Sequence, residues 1–390
     1  MLNNITQILS KSFFKTLSKT QKILIISLIL ITLLLSGATF YILNIQKEPL
    51  PVITQDYCST EPKLNLNNTD NPYLTKINYY QNICNSKAFD KMMIFTFMPQ
   101  SDEARTAEIK NLGEKLITFE QNGLKPIIVI EPNSEEGLLN FYDFENGLFD
   151  SSLRKFLKGI LDYGVNESMM GRIIPFPEPN IPAWNRNGST PASFGTNFNK
   201  TIQIIREFYP NIKGTILLNT KSYATDDLRW ANGKLVSLKP YLTNIDPGLV
   251  ESIGLQGFPW QSPSNQVLFE EKDAKVFLPI KLIEEMSEIT NNKSLLLNTG
   301  SFATRYSNNP DQTINIPPFK RRQVLDSILY ESKELQSKGY SVNINIFSEN
   351  KTKTEENVDW SYSTPDQQAI LKEFIARANV LNIELSVFDK

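Results

Sequence analysis

Histidine is absent from all 390 residues. Its absence excludes Ser-His-Asp and Cys-His catalysis, HExxH zinc sites and any histidine proton shuttle. Chemistry near neutral pH is left to carboxylates, Lys, Tyr and backbone dipoles. Cysteine is nearly absent too, with only Cys58 and Cys84. An even pair in an exported chain reads as one disulfide, with a free buried pair as the alternative, and neither zinc nor copper is expected. No EF-hand-like run is present, and we expect no metal site. No Gly-rich phosphate loop follows any apolar run, so a dinucleotide cofactor has no support and no cofactor is expected. An excess of charge is also missing: 40 basic residues stand against 42 acidic ones, which gives no electrostatic case for nucleic acid.

The N-terminus carries Lys11, Lys15, Lys19 and Lys22 and no acid, followed by an uncharged apolar run over 23–45. That length suffices to cross a hydrocarbon core, and the leading lysines orient the N-terminus to the cytoplasm. The alternative is a cleaved signal peptide ending near Ser36-Gly37-Ala38. The uncleaved anchor is preferred because the apolar run continues through Phe40, Tyr41 and Ile42. The expected organisation is a cytoplasmic stretch over 1–22, a single transmembrane helix over 23–45, a tether over 46–87 holding the Cys58–Cys84 disulfide, and one large domain over 88–390. That domain is placed outside the cell membrane, or secreted if the leader is cleaved, and is expected to be monomeric.

Buried-strand-like runs recur at Met92–Phe97, Pro126–Glu131, Arg172–Phe176, Thr215–Leu218, Ile253–Gln256, Leu295–Leu297, Ser341–Phe347 and Ile383–Phe388. Amphipathic stretches with helical spacing separate most of them: Ala104–Gln121, Leu153–Tyr163, Phe198–Tyr209, Phe319–Lys338 and Asp366–Val380. Short buried strands alternating with helices mean parallel βαβ units, and about eight of them mean an α/β (β/α)8 TIM barrel. Either Tyr73–Tyr80 supplies a first strand, or Ile383–Phe388 closes the barrel from the C-terminus.

In such a barrel the residues just after each strand carry function. Here they are carboxylates, amides and tryptophans: Glu131, Glu178 and Asn180, Asn219, Gln256, Asn298 with Arg305 beyond it, and Glu349. Of four tryptophans, Trp184, Trp260 and Trp360 follow strand ends closely. Acids and amides bond sugar hydroxyls, and indole faces stack on pyranose rings. The expected partner is therefore a polysaccharide or oligosaccharide.

The stretch Gly171-Arg172-Ile-Ile-Pro-Phe-Pro-Glu178-Pro-Asn180, with Trp184 four residues on, resembles the fourth-strand segment of family 26 glycoside hydrolases, the β-mannanase-like retaining (β/α)8 enzymes. The stretch from Tyr241 to Trp260, with Asp246-Pro247-Gly248 and Gly254, resembles the approach to the sixth strand, and Asp359-Trp360 fits the closing segment. The resemblance implies Glu178 as general acid/base. It also implies Arg172, Asn180, Trp184, Trp260 and Trp360 as substrate contacts, with Glu131 in a third-strand segment that is not catalytic.

Three positions depart from the family pattern. Asn298 stands where the family has its nucleophilic Glu, Pro177 where a His precedes the acid/base, and Phe258 where a Tyr supports the nucleophile. An amide cannot form the glycosyl ester of a retaining mechanism. One expectation is a membrane-anchored barrel that binds and hydrolyses a β-linked polysaccharide such as mannan, with Glu349 or Glu131 as the second carboxylate. The alternative is a glycan-binding protein that kept the cleft and lost the nucleophile.

Overall fold

The computed structural model describes residues 49–54, 56–67, 71–180, 190–220, 238–257, 280–301, 305–306, 314–315, 317–348, 350–351 and 358–388. Eight parallel strands close into a barrel: β1 (Lys91–Thr96), β2 (Lys125–Ile130), β3 (Arg172–Pro175), β4 (Gly214–Asn219), β5 (Val250–Gly257), β6 (Ser294–Thr299), β7 (Ser341–Ile346) and β8 (Glu384–Phe388). All fall where the apolar runs place them. Strands covered on both faces read as continuous hydrophobic stretches, and that is the signal these residues carry.

The C-terminal strand closes the ring. Met92 and Met93 of β1 register with Val387 and Phe388 of β8, while the other edge of β1 pairs with β2 from Lys91↔Lys125 to Thr96↔Ile130. Tyr73–Tyr80 is not a strand; it lies inside helix α1 (Pro72–Cys84). Its tyrosines, Ile77 and Thr75 favour extended chain locally, but the flanks dictate a helix. Asn71 caps it by accepting from the Tyr73 and Leu74 N–H groups, Pro72 occupies the first turn, and Asn85 ends it at φ 53°.

The helices that precede the other strands are α2 (Asp102–Gln121), α3 (Asp150–Asp162), α4 (Pro191–Arg206), α5 (Lys239–Leu242), α6 (Ile280–Thr290), α7 (Pro318–Ser337) and α8 (Pro365–Val380), with short helices also at Phe141–Glu145 and Glu167–Met170. Each numbered helix precedes the strand of the same number, so the ring starts with a helix and ends with a strand. Helix α1 lies between α8, which it contacts directly, and α2, where Tyr73 packs edge-on against Phe119 with centroids 5.9 Å apart.

The tether expected over 46–87 is therefore not a free linker in its described part. Leu50, Leu74, Ile77, Tyr80 and Cys84 are buried in the main hydrophobic core, and the compact unit begins at Leu50. Cys58 and Cys84 are disulfide-bonded, tying the last residue of α1 to the segment before it. Asn379 Nδ2 at the end of α8 donates to the Cys58 carbonyl at 2.6 Å. The apolar run over 23–45 lies outside the described residues, among which no helix is long and apolar enough to cross a membrane.

The barrel interior is divided. Met93, Ile127, Val129, Ile174, Leu217 and Leu296 form an apolar cluster that Phe347, Trp360 and Phe388 continue toward the mouth. Gly254 makes room for it, since a Cβ there would meet Leu217 Cδ1 at 3.0 Å and the Ile216 and Leu296 carbonyls at 3.0 and 3.1 Å. Buried polar side chains occupy the rest: Thr215 with Ser252, and Asn298, Asn343, Asn345 and Ser386.

Candidate functional site

The chain leaves β3 through a kink. Phe176 and Glu178 flank Pro177 at φ 54° and 55°, in the left-handed region that costs a non-glycine residue about 1–3 kcal/mol. Two hydrogen bonds hold it there: the Phe176 N–H donates to the Ile130 carbonyl at 2.9 Å, and the Glu178 N–H to the Leu217 carbonyl at 2.8 Å. Phe176 is buried against Phe141 and Phe144, with centroids 5.2 and 4.9 Å away. The strain turns the half-buried Glu178 toward the end of β4, where Asn219 Nδ2 donates to its carboxylate.

Asn180 holds that partner in place. Its Oδ1 accepts from the Asn219 N–H at 2.8 Å and its Nδ2 donates to the Asn219 carbonyl at 2.6 Å. Both ends of its amide are committed to one backbone unit, and only 4% of its surface is exposed. The substrate contact implied for Asn180 is therefore replaced by a positioning role. Asn219, which aligns Glu178, has no part in the resemblance; its position at a strand end was the only signal that could have found it.

Asn298, at the end of β6, is 1% exposed. Its Nδ2 donates to Gln256 Oε1 on β5, and its Oδ1 accepts from Asn345 Nδ2 on β7 at 2.8 Å. Glu131, just past β2, takes a hydrogen bond from Asn133 Nδ2 at 3.2 Å. Glu135, four residues on, accepts from the Gln100 and Ser101 N–H groups at 3.0 and 2.6 Å. Burial is the largest single influence and opposes its ionisation, but the hydrogen bonds from the Gln100 and Ser101 N–H groups, the Ser101 side chain and its own backbone together outweigh it and bring its carboxyl down to about 2.

The β7–β8–β1 side of the mouth is aromatic. Trp360 meets Phe347 edge-on at 5.1 Å, Phe347 meets Phe388 at 4.6 Å, and Phe388 meets Phe95 at 5.0 Å. Trp360 is only 4% exposed, so it belongs to the interior more than to an open stacking platform. Phe95 is half-buried and presents more ring surface.

Trp360 is fixed by Arg321 of α7, itself 1% exposed. Its guanidinium donates to Ser301 Oγ at 2.7 Å, to the Ser361 carbonyl at 2.9 Å and to the Trp360 carbonyl at 2.9 Å, and lies 4.0 Å from the Tyr362 ring centroid. One buried cation thus joins the segment after β6 to the segment after β7. These segments also form a small antiparallel sheet, in which Arg305 registers with Asn315 and Asp359.

Arg172 is not brought to this mouth. It opens β3, at the opposite end from Glu178, with its Nε 3.8 Å from Glu251 Oε1 near the start of β5. Burial raises the Glu251 carboxyl, and the Arg172 charge works against that rise. Trp184, Trp260 and Glu349 lie outside the described residues, as does Phe258. A cavity of about 680 Å³ opens at the barrel base, between 52–61, Lys87–Lys91 and Asn379–Leu385. Among the described residues no three Cys, Asp or Glu side chains converge as a metal site would require.

Comparison with solved structures follows from this geometry. The fold shared with solved structures is the (β/α)8 barrel. The chain is similar to an exo-β-1,4-mannosidase, Op5Man5 from Opitutaceae bacterium strain TAV5, at TM-score 0.52 and 13% identity, over 85% of this chain and 59% of that one. A β-glucosidase follows at TM-score 0.49 and 10% identity, over 80% and 88% of the two chains. A fungal β-1,4-galactanase gives TM-score 0.49 and 11% identity, over 77% and 90%. No protein-family model matches the chain, and no curated protein matches it in sequence.

Proposed function

We propose that this protein binds a β-linked polysaccharide such as mannan at the C-terminal mouth of its barrel, as a divergent relative of family 26 glycoside hydrolases that has lost the retaining nucleophile. The observation that carries this reading is Asn298. Both ends of its amide are spent inside the barrel, and it offers no carboxylate to form a glycosyl ester. The ring order supports the relationship. Counting the C-terminal strand β8 as first makes β3 the fourth strand and β6 the seventh, where that family carries its acid/base and its nucleophile.

One observation favours hydrolysis as a second reading. Glu178 is held on a strained turn, half-buried and aligned by Asn219, as a proton donor to a leaving group would be. An inverting reaction would then need a base about 6.5–9.5 Å away, with Glu131 as the described candidate. The two readings separate in one experiment on the full chain, given β-mannan, β-1,4-galactan and β-glucans. Retention on polysaccharide without new reducing ends supports binding alone. Release of reducing ends that falls about 10²–10⁴-fold in Glu178→Gln supports hydrolysis. Neither retention nor release would overturn both.

The same proposal places the barrel outside a membrane, tethered by the apolar run over 23–45. The Cys58–Cys84 disulfide supports an oxidising compartment. Resistance to alkaline extraction from membranes, with the barrel open to added protease, is the expected result.

A further inference from the structure

Asn298 belongs to a column of polar side chains that runs the length of the barrel interior, where branched apolar residues usually predominate. From the mouth downward it passes from Gln256 to Asn298, Asn345 and Ser386, whose single hydroxyl proton goes to Asn345; Asn343 Oδ1 lies 3.3 Å below Ser386 and its Nδ2 donates to Glu384 at the base. At the base Lys91 Nζ lies 2.6 Å from the Glu384 carboxylate. An amide has a donor end and an acceptor end, so the direction each member takes constrains the next.

The direction is set at Asn345. Its Nδ2 faces two acceptors, Met93 Sδ at 3.5 Å and Asn298 Oδ1 at 2.8 Å, and its Oδ1 receives the Ser386 hydroxyl at 2.9 Å. A thioether accepts and never donates, which favours the Nδ2 on that side. Asn298 must then turn its own Nδ2 to Gln256, and Gln256 must receive it with Oε1. The Gln256 Nε2 group is left without a protein partner among the described residues, and it is not buried.

We propose that the Gln256 amide is a fixed hydrogen-bond donor at the mouth, that it binds an oxygen of the glycan, and that Asn298 acts as the positioning residue which sets its direction. Only the ligand rests on the glycan-binding reading above; the direction of the amide does not. The ends of three adjacent strands then carry complementary groups. The Glu178 carboxylate beyond β3 accepts, Asn219 on β4 aligns it, and Gln256 on β5 donates. Different hydroxyls of one sugar can donate to the carboxylate and accept from the amide.

The test uses the full-length chain labelled with ¹⁵N at Asn and Gln, with side-chain amide exchange followed at pH 8. The expected result is rapid exchange of the Gln256 NH₂ and at least tenfold slower exchange of the Asn298 NH₂. In Asn298→Asp the new carboxylate accepts from Gln256, so the Gln256 NH₂ should become at least tenfold more protected. A Gln256 NH₂ as protected in the unaltered chain as in Asn298→Asp would overturn the assigned direction, with or without a ligand. Titration with β-1,4-mannohexaose should shift the Gln256 NH₂ resonance, and Gln256→Glu, which keeps the shape but loses the donor, should bind at least tenfold more weakly. Binding seen at other resonances but equal in Gln256→Glu would overturn the donor's role in recognition. Absence of any shift with mannan, galactan or glucan oligosaccharides would instead sink the glycan reading and the ligand assignment with it, while the exchange result would still decide the direction.

Discussion

The two ends of the barrel hold their carboxylates in different ways. At the base they sit beside cations: Glu384 takes Lys91 at 2.6 Å, Lys87 bridges Glu61 at 2.7 Å and Asp90 at 3.1 Å, and Arg172 lies 3.8 Å from Glu251. At the mouth the described partners are amides and backbone N–H groups: Asn219 for Glu178, Asn133 for Glu131, and Gln100 with Ser101 for Glu135. An ion pair satisfies charge and contributes little more at a partly exposed site. A neutral amide orients a carboxylate without adding a charge to the site. The cavity of about 680 Å³ lies at the base, yet its lining cations Lys87 and Lys91 are already paired. This cavity therefore lies at the end where the lining cations are paired, away from the strand ends that carry Glu178, Asn219 and Gln256.

The comparison is tested most severely at Arg321, the buried cation of the mouth. Arg321→Met removes three buried hydrogen bonds, to the Trp360 and Ser361 carbonyls and to Ser301 Oγ, and should cost about 3 kcal/mol. Chemical denaturation measures the loss, and a shift in tryptophan emission should report the freed Trp360. A smaller effect, about 2 kcal/mol, is expected of Asn180→Ala, which removes two buried hydrogen bonds from the Asn219 backbone. Arg172→Gln at the base should cost less than about 1 kcal/mol, because its ion pair is long and partly exposed. If Arg172→Gln weakened glycan retention more than Asn180→Ala, the division between a functional mouth and a structural base would fail.

The smallest effect concerns pH. The Glu135 carboxyl falls from 4.5 to about 2 in the folded chain. Its stabilising contribution is therefore complete above pH 4.5 and is lost as pH falls toward 2. The difference in melting temperature between the unaltered chain and Glu135→Gln should be constant above pH 5 and shrink below it. A difference that grew on acidification would show that the N–H groups of Gln100 and Ser101 do not stabilise the ionised form. Glu251 at the base runs the other way, since burial raises its carboxyl and its ionisation opposes folding as pH rises.

The eight strands were legible because each is covered on both faces and so must be apolar throughout its length, as in Ile127–Ile130 and Leu295–Leu297. Helix α1 was not, because Tyr73, Thr75, Tyr79 and Tyr80 suit a pleated surface and only the cap at Asn71-Pro72 marked the helix. Glu178 was singled out from its place after a strand and from the family resemblance, and the structure puts it on the turn beyond β3. The resemblance assigned Asn180 to the ligand, and a motif reads the same whether its amide faces solvent or a neighbouring backbone. Arg172 shared a motif with Glu178, yet a strand lies between them and carries the two to opposite ends of the barrel.

By itself, the sequence determined the alternation of buried strands and covering helices, the absence of histidine chemistry, the single cysteine pair, and the acids and amides that follow the strands. Only the tertiary structure decided which strand closes the ring, that α1 takes the eighth helix position, and that Asn298 is one link in a directed chain of hydrogen bonds. The physical reason is range. Burial on both faces is imprinted locally on every residue of a strand, whereas Met92 meeting Val387, or Asn345 meeting Met93, depends on partners hundreds of residues apart and leaves no local trace.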